Sequence, residues 1–250
     1  MKRKPKILIF DIETSPNTGL FFDVWNGTNI NFITKERSVL TIAYKWYGSA
    51  ITKVISVGDN KVLYKKDPYY DKEVISKFLE VLEEADYLVA HYGLKFDVKF
   101  LAARCFINGL KPFPKVQTVD TCVLAKRHFK LNSNKLDHIA KLLGLEGKMP
   151  MNWSFWKGCT EGDRDSIETM AAYNKQDVVL LEQVFEKMLP YVDTVINLNH
   201  FEEHDGHVCP QCQSKELHKR GLYYTKLMKK QRYVCLKCNH WSITNMEKER

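Results

Sequence analysis

Asp11 and Glu13 lie in the string Ile-Leu-Ile-Phe-Asp-Ile-Glu-Thr near the start of the chain. Ile7 to Phe10 is an apolar run with no helical period, so it reads as a buried strand. Residues two apart on a strand share a face. The two carboxylates therefore project together from the end of a buried strand. Like charges held side by side repel, and neither is easily buried. A hard cation, Mg²⁺ or Mn²⁺, relieves the repulsion by taking carboxylate oxygens as ligands. The competing reading is a strand that has run out into solvent.

Two further acids have chemical settings of their own. Asp97 closes His91-Tyr92-Gly93-Leu94-Lys95-Phe96-Asp97 and falls in the first turn of a helix expected over 94–108. An acid there also suits the positive end of a helix dipole. Asp177 closes Tyr173-Asn174-Lys175-Gln176-Asp177 within a long helix expected over 166–189. Tyr173 and Asp177, four apart, share a face. Met170, Leu180 and Leu181 place that face inward, where a lone carboxylate is costly. Either a cation or a hydrogen bond from Tyr173 or a neighbouring loop must compensate it.

The elements that position these groups follow from periodicity. Strands are expected over 7–12, 38–47, 51–57, 87–90 and 116–119, the second and third forming a hairpin turned at Tyr47-Gly48-Ser49. Helices are expected over 71–85, 94–108, 134–143 and 166–189. The second of these turns Phe96, Phe100, Leu101 and Phe106 or Ile107 inward. The third turns in Leu136, Ile139, Ala140 and Leu143. Residues 145–162, rich in Gly, Trp and Met, read as a loop. This order implies a mixed sheet covered by helices on both faces, an α/β fold.

Cys209-Pro210-Gln211-Cys212 and Cys235-Leu236-Lys237-Cys238 are two C-x-x-C knuckles separated by 22 residues. Four thiolates close a tetrahedral structural Zn²⁺ site. A redox dithiol pair is the alternative. The spacer suits a hairpin of 217–224 and 231–234, and the whole resembles a zinc ribbon, of a sort also found in some transposases. His204, His207 and His240 stand nearby, but four cysteines suffice. Cys105, Cys122 and Cys159 sit among apolar neighbours and read as reduced, buried thiols.

The chain has 250 residues, 44% of them hydrophobic, and a net charge of +8. That supports a packed core and favours a polyanionic partner. Residues 206–241 alone carry eight Lys or Arg against one acid, Glu216. With four thiolates and one Zn²⁺ counted, this segment keeps a charge of +5. Lys226, Lys229, Lys230 and Arg232, beside Tyr223 and Tyr224, suggest a surface that tracks phosphates. A protein-docking ribbon with a solvated tip is the alternative. No stretch is long and apolar enough to cross a membrane, and the N-terminal apolar run is too short for a signal peptide. The expected compartment is the cytoplasm.

Asp-x-Glu on a first strand, an Asp after a His-containing turn, and Tyr-x-x-x-Asp on a late helix resemble, in order, the three exonuclease motifs of the DEDD superfamily. Tyr173 in the third resembles the DEDDy branch, with its ribonuclease H-like fold. The resemblance spans roughly 6–189. Val119-Asp120-Thr121 and Asn134-Lys135-Leu136 also look like its connecting segments. It implies three parts: a domain over 1–190, a connector over 191–205 and a zinc ribbon over 206–245. Val192 to Leu198 could extend or pack on the first part.

The resemblance implies that Asp11, Glu13, Asp97 and Asp177 bind two Mg²⁺ or Mn²⁺ ions, about 4 Å apart. Tyr173 would orient the attacking water, and a nucleoside 5′-monophosphate would leave a 3′ end. The partner is then nucleic acid with a free 3′ end, single-stranded DNA foremost. The general look is of compact stand-alone phage or bacterial members, which puts a phage protein in the host cytoplasm. Such proteins often carry Asn where Tyr92 stands, which bears on how the terminal nucleotide is held. Phe21, Phe22, Trp25, Tyr92, Trp153 and Trp156 are candidates to stack on bases, and Lys95, Lys99, Arg104 and Lys148 to touch phosphates. Rivals are an RNA-trimming enzyme, a structure-specific endonuclease of the same fold and a catalytically silent nucleic-acid-binding adaptor.

Overall fold

Ile7, Leu8, Ile9 and Phe10 are all buried. A strand covered on both sides reads as a continuous apolar run for that reason. It is the first half of β1 (Ile7–Thr14), the central strand of the main sheet. The structure is a computed structural model describing residues 3–21, 32–147, 149–202, 204 and 206–245. Phe22, Trp25 and Lys148 lie outside the described residues.

β2 (Thr18–Leu20) and β3 (Phe32–Lys35) form a separate two-stranded ribbon. β4 (Val39–Trp46) and β5 (Lys53–Ser56) follow as a hairpin. Then come α1 (Lys61–Lys66), α2 (Lys72–Leu82), β6 (Tyr87–Ala90) and α3 (Asp97–Ile107). β7 (Gln117–Asp120) leads into α4 (Thr121–His128), α5 (Leu136–Leu142), α6 (Trp153–Thr160) and α7 (Arg164–Met188). The main sheet has the order β5-β4-β1-β6-β7. β4 lies antiparallel to β1, while β6 runs parallel to it. The fold is the mixed, helix-covered α/β sheet that the element order implies.

Alternation along β1 divides the core. Leu8, Phe10 and Ile12 join one apolar cluster with α2 and α3. Ile7 and Ile9 join the other, with α4, α5 and the C-terminal half of α7. Asp11 and Glu13 continue the second parity, so they emerge on the side α7 covers. α7 itself crosses between layers. Ile167, Met170 and Tyr173 belong to the first cluster, and Val178 to Met188 to the second. Asp177 falls where the helix changes partners. Phe10 is wholly buried, and its truncation to Ala would cost about 3–5 kcal/mol.

Several expectations are corrected. Residues 153–160 form α6 rather than loop. Gly158 permits this, since a Cβ there would lie 2.1 Å from Ser166 Oγ on α7. Phe106 and Ile107 are exposed, because the buried face of α3 carries Leu101 and Cys105 instead. Leu143 is also exposed, lying at the end of α5. Helices α1 and α4, strands β2 and β3, and a strand over 241–245 were not expected.

The chain beyond α7 packs back. Val192 and Ile196 are buried in the second cluster. β8 (Leu217–Tyr224), β9 (Lys229–Cys235) and β10 (Trp241–Asn245) then form a three-stranded antiparallel sheet of order β10-β9-β8. Among the described residues, no helix is long and apolar enough to cross a membrane.

Candidate active site

Asp11, Glu13 and Asp177 each offer a carboxylate oxygen, and these oxygens all lie within 4.8 Å of one another. Two come from the end of β1 and one from α7. Asp177 is buried, while Asp11 and Glu13 are partly open. Three carboxylates this close repel strongly unless protons or a cation intervene. The donor set, all hard oxygen, fits Mg²⁺ or Mn²⁺.

The orientation of Asp11 is fixed from behind. Asn174 Nδ2 donates to Asp11 Oδ2 at 2.7 Å. Thr41 Oγ1 donates to Asn174 Oδ1 at 2.9 Å, which sets which end of the amide faces the acid. Thr41 and Asn174 are both wholly buried. Thr41 pairs with Glu13 across β1 and β4, so β4, β1 and α7 meet at this relay. Sequence reasoning missed both residues. Their only signal was a polar pair, one on a strand and one beside Asp177, that becomes a pair through tertiary packing alone.

Asp97 is not one of the three converging acids. It enters from α3, in the opposite layer, and is 4% exposed. Its Oδ1 accepts from Ile12 N at 3.3 Å, the backbone between Asp11 and Glu13. Burial pushes its carboxyl up to about 7, with the charge of Asp120 adding and backbone hydrogen bonds opposing. The fourth acid therefore borders the cluster and resists carrying another negative charge without compensation.

Tyr173 is nearly buried, and its ring meets Trp156 of α6 edge-on at 6.4 Å. Trp156 in turn stacks with Trp153 at 6.3 Å. Beyond Glu13, a cleft of about 480 Å³ opens between the β1–β2 connection and α6. Asn17, Thr18, Phe21, Trp153 and Lys157 line it. Phe21 and Trp153 are both exposed.

The turn before α3 is clamped by Asp120. Its Oδ1 accepts from Tyr92 N at 3.0 Å, and its Oδ2 from Leu94 N at 3.0 Å. The same carboxylate caps α4 through Cys122 N and Val123 N. Tyr92 is thereby held at φ 65°, a left-handed conformation unusual outside glycine. Gly93 is required beside it, since a Cβ would lie 2.4 Å from that of Ala90. His91 Nε2 donates to Asn134 O at 2.9 Å, and its Nδ1 meets Thr121 Oγ1 at 2.8 Å. The segments around Asp120 and Asn134 thus brace the turn that delivers Asp97.

Tyr92 stands half exposed, with the Lys126 ammonium 5.5 Å from its ring centre. Lys95 and Lys99 are exposed. Arg104 is a correction to the phosphate candidates. Its Nε and Nη2 bind Asp71 at 2.7 and 2.8 Å, deep between α2 and α3. A bidentate pair with a wholly buried carboxylate is structural.

Cys209, Cys212, Cys235 and Cys238 converge in a second cluster. Cys209 Sγ lies 3.6 Å from Cys238 Sγ, and Cys212 Sγ 3.6 Å from Cys235 Sγ. Tetrahedral thiolates around Zn²⁺ stand about 3.8 Å apart, so the set fits that ion. The neighbouring histidines serve otherwise. His207 packs on Tyr233, His204 meets Gln213, and His240 turns away to Thr194 and Leu189. Lys226, Lys229 and Arg232 are exposed and Lys230 partly so.

A mixed sheet with acids at the end of its central strand and on a covering helix defines an RNase H-like nuclease fold. Residues 48–189 match the RNase_H superfamily, and the chain belongs to it. The match contains Asp97, Tyr173 and Asp177, while β1 precedes it. No curated protein matches the chain. A similar solved structure is the family B DNA polymerase from the hyperthermophilic archaeon Pyrobaculum calidifontis, with a TM-score of 0.54 and 15% identity. The likeness covers 78% of this chain and 26% of that one, and it is a likeness of fold alone.

Proposed function

We propose that this chain is a DEDDy-type, metal-dependent 3′→5′ exonuclease that hydrolyses the terminal phosphodiester of nucleic acid, DNA before RNA. The observation that carries the reading is the convergence of Asp11, Glu13 and Asp177, with Asp97 bonded to the backbone between the first two. Residues 1–190 form the nuclease part, 191–205 the connector and 206–245 a ribbon that aids substrate binding.

Asp11, Glu13, Asp97 and Asp177 would hold two Mg²⁺ or Mn²⁺ ions, which would supply an acidified water and offset charge growing on the phosphate. Asn174 and Thr41 keep Asp11 aimed. Tyr173 orients the attacking water through its hydroxyl, which can both donate and accept a hydrogen bond. Tyr92, held rigid by Asp120, faces the terminal nucleotide. Cys209, Cys212, Cys235 and Cys238 would hold one structural Zn²⁺, and Lys226, Lys229, Lys230 and Arg232 meet phosphates.

The test uses 5′-labelled DNA and RNA oligonucleotides beside a circular single strand, with Mn²⁺ and after its removal. A ladder shortening from the 3′ end, Mn²⁺-dependent, with the circle intact, is expected. Cleavage of the circle would make the enzyme an endonuclease, and intact oligonucleotides would make the chain a binding protein.

A further inference from the structure

Strand β10 alters what the cysteine ribbon presents. Trp241 pairs with Val234 and Ile243 with Arg232 across β9 and β10. Tyr223 pairs with Lys230 across β8 and β9. Directly opposed residues share a face, as do alternate residues of one strand. One face therefore gathers Tyr223, Lys230, Arg232, Trp241 and Ile243. The opposite face carries Tyr233, which His207 covers at 4.8 Å between ring centres, and Cys235 of the metal cluster.

The first face is open. Tyr223 is 45% exposed, Trp241 49% and Ile243 47%. Arg232 on this face is already held. Its Nε donates to Arg220 O at 2.8 Å across the β8 bulge, and its guanidinium sits 5.3 Å from the Trp241 ring centre. A guanidinium fixed in advance loses little freedom when it meets a phosphate. The surrounding segment, residues 206–241, carries eight Lys or Arg against one acid.

We propose that this face is a stacking platform for unpaired nucleic acid, with bases on Trp241 and Tyr223 and phosphates on Arg232 and Lys230. It rests on the reading that the substrate is nucleic acid. Exposed rings on an open sheet match the faces of bases, which a duplex covers with neighbouring pairs. Aromatic residues and Arg also mark protein interfaces, but those are poor in Lys, and this ribbon is rich in it. Base stacking makes the platform tolerant of sequence, as a strand-shortening enzyme needs.

The experiment measures binding by fluorescence anisotropy, using labelled oligothymidylate and a blunt duplex of equal length. No Mg²⁺, Mn²⁺ or chelator is added, so cleavage plays no part and zinc stays in place. The full chain should prefer the single strand. Trp241→Ala and Tyr223→Ala should each weaken that binding about tenfold. Trp241→Phe, which keeps a ring, should retain most of it. Arg232→Ala should also lower the salt dependence, by about 0.7 in log–log slope for each phosphate it leaves without a cation. Equal affinity for duplex overturns the proposal, as does full binding by both alanine variants with zinc content unchanged. A chain that binds as expected yet cleaves nothing would refute the nuclease reading alone.

Discussion

The acidic end of the main sheet and the basic ribbon bring charge together by opposite means. The first draws on residues far apart in sequence, Asp11 and Glu13, Thr41, Asp97, Asn174 and Asp177, and sets them among buried neighbours. The second draws on one short stretch and leaves its charges in solvent. A large core can aim a carboxylate through packing and a buried amide. A 40-residue ribbon has no such core, and its four cysteines converge instead. Burial thus gives precision at one point, while exposure leaves the ribbon's charges open along its surface.

The two regions are physically joined. His240, nearly wholly buried, donates from Nδ1 to Leu189 O at 3.3 Å and meets Thr194 Oγ1 through Nε2 at 2.8 Å. Leu189 directly follows α7, the helix bearing Asp177. Leu198 N also donates to Pro210 O at 2.8 Å. Burial lowers the His240 pKa, against the raising effects of the Leu189 carbonyl and Asp193.

The sharpest way to break the comparison is a crossed pair of variants. Asp177→Asn should reduce turnover about a thousandfold, the scale of losing a charge-stabilising group, and leave strand binding near wild type. Cys235→Ser should do the reverse. It should release zinc, weaken binding of a long strand strongly, and change turnover of a very short oligonucleotide only a few-fold. Steady-state kinetics and anisotropy on both proteins check this. Equal loss of both properties in both variants would mean that the regions form one indivisible site.

A smaller effect is expected one layer behind the acids. Asn174→Ala removes the amide that aims Asp11 and strands the Thr41 hydroxyl. Groups that orient metal ligands typically matter about 10–100-fold, so Mn²⁺ affinity and turnover should both fall in that range. Thr41→Val should cost less, about 1 kcal/mol in stability, because Asn174 still reaches Asp11. Mn²⁺ titration and thermal melts read the two effects separately. An unchanged Mn²⁺ midpoint in Asn174→Ala would leave the relay with a purely structural role.

The same contrast explains what could be read in advance. Asp11 and Glu13 were legible because a strand fixes parity, and Cys209 to Cys238 because knuckle spacing is local. Asn174 was not, since an amide in a helix gains meaning only once Thr41 arrives from β4. Asp97 read as part of a four-acid set, yet it enters from the other layer and borders the converging three. Helix α6 was hidden by Gly158, whose missing side chain serves contact with Ser166 rather than a turn. Helix α4 went unread although its cap, Asp120, stood in view. Phe106 and Ile107 continued an apolar run off the face of α3 that Leu101 and Cys105 bury.

Asp97 yields a pH test of the buried region. An unfolded chain releases this proton at about pH 4, while the fold holds it to about 7. The stability it contributes is therefore complete below about pH 4 and is lost as pH rises through about 7. A bound divalent ion favours the ionised form and offsets that loss. The melting temperature should accordingly rise by several degrees more on adding Mn²⁺ at about pH 8 than at about pH 5. Asp97→Asn should remove most of the difference. Melts with Mn²⁺ that shift equally at both values would exclude Asp97 from the metal site.

The smallest effect belongs to the ribbon tip, where nothing is buried. Thr225 closes that turn, its Oγ1 accepting from Met228 N at 2.8 Å, and Lys226 stands exposed within it. A solvated lysine meets a phosphate as a point charge that salt screens. Lys226→Ala should therefore weaken single-strand binding only a few-fold at low salt. It should lower the log–log salt slope by about 0.7 and leave turnover of a short oligonucleotide unchanged. Trp241→Ala should instead lower affinity at every salt concentration and keep the slope, since a stacked ring releases no counterions. Parallel salt titrations of the two variants separate charge from stacking on one small sheet. Identical slopes in Lys226→Ala and wild type would leave the tip outside the nucleic-acid path, with the strand confined to the aromatic face.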